Sequence, residues 1–184
     1  MTRQMHGWIA MACIGLAVSA DAQKRPEISG VWTAVPSPNA VAAAAPLPTG
    51  DAPFPKGDMG SGWGSPLTIT QDARRLTVSY AFFVPYDLQP PLTFTFALDG
   101  SESRNTVSMG RGVQVQHTIA RWAGDTLVLA TQHALPYPNG RAQQTVEVRQ
   151  LLTVEADGTL VVQTMRAGVM GGPAATTRTV YTRR

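Results

Sequence analysis

With 184 residues and a formal net charge of +3, the chain suits one domain and has enough sequence to bury a core. Its 15 Lys and Arg are interspersed with its 12 Asp and Glu, and only Arg74-Arg75 and Arg183-Arg184 form dense basic spots. No basic stripe with interleaved aromatics is present, which excludes nucleic acid as an expected partner.

The first 22 residues read as a secretory signal. Arg3 supplies a positive start, Trp8–Val18 an apolar centre, and Ala20-Asp21-Ala22 a small-x-small cleavage site. The expected mature start is Gln23, and a cut after Ala20 is the alternative. An N-terminal anchor is a second reading of the same stretch, although its apolar centre is short for a membrane span. Cleavage removes Cys13, so no disulfide or thiol chemistry is expected in a mature 23–184 domain. It also removes Arg3 and Asp21, and the net charge stays at +3. The expected location is periplasmic or secreted, with no membrane span after signal removal.

Ile28–Thr33 reads as a short first strand anchored by Trp32. Residues 36–65 follow as a long Pro-, Ala- and Gly-rich segment whose prolines deny it a long helix or central strand. Phe54, Met59 and Trp63 give it apolar anchors, so an ordered, lid-like loop is expected, with disorder of 42–58 as the alternative. Leu67–Thr70 and Leu76–Val84 then form a hairpin in which Leu76, Val78, Tyr80 and Phe82 share a face. Leu92–Leu98 turns Leu92, Phe94, Phe96 and Leu98 inward, Asp99-Gly100 closes it, and Arg104–Met109 is a more polar strand.

The hairpin Val113–His133 carries two of the three histidines and offers two registers. A two-residue loop would set Ile119 opposite Val128 and split the apolar residues between faces. A three-residue loop pairs Ile119 with Leu129 and gathers Val113, Val115, Ile119, Leu127 and Leu129 on one face, so it is the expected register. His117 and His133 then both point inward as diagonal neighbours, their Cβ atoms roughly 7 Å apart. Asn139-Gly140 marks the next turn. A two-residue turn at Asp157-Gly158 joins Gln144–Glu155 to Leu160–Arg166 and puts Gln150 and Gln163 on the inner face. Ala175–Thr182 closes the chain, with Arg178 and Val180 on one side and Tyr181 on the other.

No useful length of chain has helical periodicity. The expectation is all-β: an antiparallel up-and-down barrel of about eight to ten short strands, with a β-sandwich as the alternative. Inward Tyr80, His117, His133, Gln150 and Gln163 would be costly in a solid core without partners, which argues for a hollow holding water or ligand. A filled interior with those groups bonded to one another is the competing expectation.

Ser29-Gly30-Val31-Trp32 carries a family resemblance. The chain resembles lipocalins and related calycin barrels through its G-x-W, and is similar to exported bacterial β-proteins that begin with S-G-x-W. The resemblance implies a barrel with a long first loop over its mouth, a late arginine packed across Trp32, for which Arg178 is the candidate, and a small apolar or amphipathic ligand. The T-D-Y-type motif, a helix after the last strand and a disulfide are missing from the pattern.

Chemistry-bearing motifs fail. Gly60-Ser61-Gly62 precedes a strand, as does Gly110-Arg111-Gly112, so neither a nucleophile elbow nor a dinucleotide loop is expected, and no cofactor is implied. Two histidines without a third ligand do not make a metal site. The first functional reading is a small-molecule binding protein using His117, His133, Tyr80, Phe82, Phe94, Phe96, Gln150 and Gln163 under a lid bearing Trp63. A non-catalytic structural or protein-interaction domain of the cell envelope, docking through 36–65, is the second. A barrel enzyme with the histidines as acid and base is the third.

Overall fold

Alternation of buried and exposed side chains runs through the chain and, as anticipated, yields strands. The computed structural model describes residues 25–36, 62–81, 91–109, 112–136, 143–167 and 174–184. The proposed leader, most of the 36–65 segment, Phe82 and the Asn139-Gly140 turn lie outside the described residues. Ten strands form among them: β1 Gly30–Ala34, β2 Leu67–Gln71, β3 Arg75–Tyr80, β4 Leu92–Ala97, β5 Glu102–Met109, β6 Gly112–Ala123, β7 Thr126–Pro136, β8 Gln143–Val154, β9 Leu160–Arg166 and β10 Ala175–Arg183. They make one antiparallel sheet in the order β4-β3-β2-β1-β10-β9-β8-β7-β6-β5. Each strand pairs with a sequence neighbour, and β1 pairs with β10, so the sheet curls into a nearly closed up-and-down barrel.

The two sheet edges, β4 and β5, meet without a ladder, and side chains join them. Asn105 on β5 accepts from Thr95 N at 2.7 Å and donates to Thr95 O at 3.1 Å, as a paired backbone amide would. Ser103 Oγ accepts from Ala97 N at 2.8 Å. These bonds satisfy edge groups that would otherwise be left unpaired where Asn105 is buried.

At the opposite seam, where the first and last described strands meet, Trp32 pairs with Arg183 and is completely buried. Its indole donates to Ile28 O at 3.0 Å, and the Arg183 guanidinium carbon lies 4.8 Å from the ring centroid. That cation–π contact adds about 0.5–2 kcal/mol to the burial of the ring. Arg178, the residue expected to cover Trp32, is on the outer face, ion-paired to Glu155 at 2.9 Å. The pairing of β1 with β10 explains this: the last residue of β10, Arg183, is the one opposite the tryptophan.

Two hairpins differ from expectation by one residue of register. The turn between β6 and β7 has two residues, Gly124-Asp125, with Gly124 at φ +60°. Ile119 faces Ala130, neither Leu129 nor Val128. Gln114, Gln116, Thr118, Ala120 and Trp122 therefore turn inward, while Val113, Val115 and Ile119 stand outside at 71%, 42% and 38% exposure. Between β8 and β9 the loop instead has three residues, Ala156–Gly158. Gly158 N donates to Glu155 O at 2.9 Å, and Gly158 has a φ of +80°. This is a turn followed by a left-handed glycine, reinforced by Asp157 accepting from Thr159 N at 2.9 Å. Val162, Thr164 and Arg166 face inward as a result, and Gln163 faces solvent.

The barrel is filled at one end. Ile28, Trp32, Ile69, Leu76, Leu127, Leu129, Leu152, Leu160 and Val162 pack toward the short turns. Toward the C-terminal ends of β3, β7 and β9 the apolar filling gives way to mixed side chains.

The seam predicts a measurable cost. Asn105→Ala removes both bonds to Thr95 and should lower unfolding free energy by about 2–4 kcal/mol in urea titration. A loss under about 0.5 kcal/mol would mean the side chains do not hold the edges together.

Candidate functional site

The half of the barrel away from the filled end holds a cavity of about 320 Å³. Its lining is divided by strand. One wall is apolar: Tyr80 from β3, Leu92, Phe94 and Phe96 from β4, Val107 from β5, with Trp63 from the returning first loop. The facing wall carries Gln114 and Gln116 from β6, Thr131 and His133 from β7, Gln150 from β8 and Arg166 from β9, with Val148 among them. Period-two alternation puts each of these side chains inside because neighbouring strands pair in the registers given above.

The aromatic wall is orderly. Tyr80 and Phe94 have ring centroids 5.9 Å apart with planes 16° from parallel, and Phe94 and Phe96 are 6.5 Å apart at 7°. The Tyr80 hydroxyl donates to Gly62 O at 3.3 Å, and burial, with Tyr181 nearby, pushes its pKa up to about 12. It therefore remains a neutral phenol. The described end of the segment that bears Trp63 lies against this ring: a Cβ at Gly64 would come within 2.6 Å of Tyr80 Cδ2 and 2.9 Å of the Ala81 carbonyl oxygen.

On the polar wall, Gln114 Nε2 donates to Ala134 O at 3.2 Å, and Gln150 is buried. The Thr131 hydroxyl is bonded to that of Thr118 at 2.9 Å, a cross-strand pair that fits only the observed register. His133 is half-buried, and loss of hydration, with a smaller contribution from the Arg166 charge, lowers its pKa from the ordinary 6.5. The imidazole is therefore uncharged at neutral pH, when it can both donate and accept a hydrogen bond.

Six of the residues singled out from sequence, Trp63, Tyr80, Phe94, Phe96, His133 and Gln150, line this one cavity. Two do not. His117 lies on the outer face, where its Nδ1 is 3.0 Å from Glu102 Oε1, an oxygen that also accepts from Arg104 Nε at 3.0 Å. Gln163 is exposed. The histidine pair is thus split across the sheet, which removes the geometry that a shared acid–base role required. Phe82 lies outside the described residues. Gln114, Gln116 and Arg166 were missed, and each follows from counting the residues of the β6–β7 or β8–β9 turn; Thr131 is inward in either register. No group of three or more potential metal ligands occurs among the described residues.

A barrel with an amphipathic hollow is the class that this fold and lining define. Compared with protein-family models and with curated proteins, the chain matches none.

Two outcomes follow. Gly64→Ala should displace the loop from Tyr80 at a cost of about 1–3 kcal/mol, read as a lowered melting temperature; an unchanged melt would mean the contact relaxes freely. His133 favours its neutral form in the fold, so its contribution to stability is complete above pH 6.5 and is lost as pH falls through its lower folded value. Melting temperature should therefore drop as pH falls from 6.5 through that lower value, and drop less in His133→Gln. Parallel curves for the two proteins would contradict the assignment.

Proposed function

We propose that the protein binds a small hydrophobic or amphipathic molecule inside the barrel, in the manner of lipocalins and related carriers. The observation that supports this most is the split lining of the cavity. Six apolar side chains, five of them on strands β3–β5, face amides, an imidazole and a guanidinium on β6–β9. Such a surface suits a ligand with one apolar face and one hydrogen-bonding edge. Trp63, carried on the chain segment that enters β2, lines this space, and a lid borne on that segment would contact the ligand there.

Two other observations support the same reading. The G-x-W tryptophan is buried at the filled end and covered by Arg183, so that end is closed and the hollow lies at the other. The structural-domain alternative calls for a solid interior, against which a volume of about 320 Å³ weighs. Export to the periplasm or medium, expected from the leader, fits a carrier without being required for binding.

Nile red, a neutral dye whose emission rises in apolar surroundings, serves as the probe. Binding should saturate with one dye per chain. His133→Ala and Phe94→Ala should weaken it, the latter by about 1–2 kcal/mol, while His117→Ala should leave it unchanged. No saturable binding, or equal loss in the His117 and His133 variants, would count against a ligand in this cavity.

A further inference from the structure

We infer that the ligand is a flat, neutral, fused-ring aromatic with a lactam-type edge, lying along the row of Tyr80, Phe94 and Phe96 with that edge against Gln116 and His133. This deepens the proposed function and rests on it. Gln116 on β6 and His133 on β7 are direct partners across the ladder, and both line the cavity. Directly opposed side chains of an antiparallel pair stand roughly 5 Å apart at Cβ, so the two polar heads lie side by side. Neither makes a hydrogen bond to another described residue. The Gln116 carboxamide offers donors and an acceptor in one plane, and the imidazole, uncharged at neutral pH, adds one of each. A lactam presents an adjacent donor and acceptor in the complementary order, much as an adenine edge does to an amide side chain.

The rest of the polar wall is engaged within the protein. Gln114 donates to Ala134 O at 3.2 Å, the Thr131 and Thr118 hydroxyls are bonded at 2.9 Å, and Gln150 and Arg166 have partners of their own. A charged ligand would therefore give up its hydration without meeting an unpaired opposite charge among the described lining residues. A pure hydrocarbon would strip water from Gln116 and His133 and replace none of their bonds. Shape narrows the class further. The rings of Tyr80, Phe94 and Phe96 lie within 16° and 7° of parallel, a row suited to a flat partner. A space of about 320 Å³ equals roughly ten water volumes, room for a two-ring molecule.

Titration calorimetry on the full chain at neutral pH tests this with carbostyril, a fused-ring lactam. Three comparators accompany it: N-methylcarbostyril lacks the donor, octanamide keeps an amide without rings, and naphthalene keeps the rings without an edge. Carbostyril should bind about tenfold more tightly than N-methylcarbostyril and than octanamide. Gln116→Met should cost carbostyril about tenfold and leave naphthalene unchanged. If that variant does not fold, the probe order in the unaltered chain decides alone. N-methylcarbostyril binding as tightly as carbostyril would overturn the edge assignment, as would equal losses of carbostyril and naphthalene in the Met variant. Octanamide binding as tightly as carbostyril would overturn the planar assignment. Saturable binding of Nile red without binding of carbostyril would remove this inference and leave the carrier reading intact. Failure of Nile red and of all four probes would remove both.

Discussion

A shift of one residue in strand pairing exchanges the inside of a sheet for its outside, and two short turns carry that choice for this barrel. Gly124-Asp125 turns the even-numbered residues of β6 inward, and Ala156–Gly158 does the same for β9. Gln114, Gln116 and Arg166 face the interior only because of those two loop lengths. Lengthen the first by one residue and Val113, Val115 and His117 would replace Gln114 and Gln116 on the wall; shorten the second by one and Gln163 and Met165 would replace Arg166. The chemistry of the hollow is in this sense written in its turns.

Closure depends on complementary devices at the two seams. At one, the first and last described strands pair as β1 and β10, and Trp32 is buried between Ile28 and the Arg183 guanidinium. At the other, Asn105 and Ser103 supply the bonds that a continuous ladder would have made. With both seams shut and one end packed by leucines and valines, the remaining space is confined to the other end. Part of its polar lining is satisfied within the protein, Gln114 by Ala134 O and Thr131 by the Thr118 hydroxyl.

Much of the fold was legible in the sequence because half-buried strands announce themselves by alternation. Leu76-Val78-Tyr80 and Leu92-Phe94-Phe96-Leu98 are inward as expected, and so are Leu127, Leu129 and His133. The errors have one cause. Register was chosen by gathering apolar residues on a common inner face, a rule that presumes a filled interior. On β6 it fails: the inner face lines a hollow with glutamines, and Val113, Val115 and Ile119 are left outside. On β9 the expected register turned Gln163 inward and hid Arg166. The place of Arg178 in the closing strand points to Trp32, but the β1–β10 pairing brings Arg183 to the ring instead. Long-range pairing of that kind leaves no local signature.

The two imidazoles report the central claim most directly, since one faces the hollow and the other the solvent. Carbethoxylation at neutral pH, followed by peptide mapping, measures the reactivity of each. With the polar wall turned inward as described, His117 reacts at the rate of an exposed histidine and His133 several-fold more slowly, because it is half-buried. Equal rates, or a protected His117 beside a reactive His133, would contradict the registers on which the cavity depends.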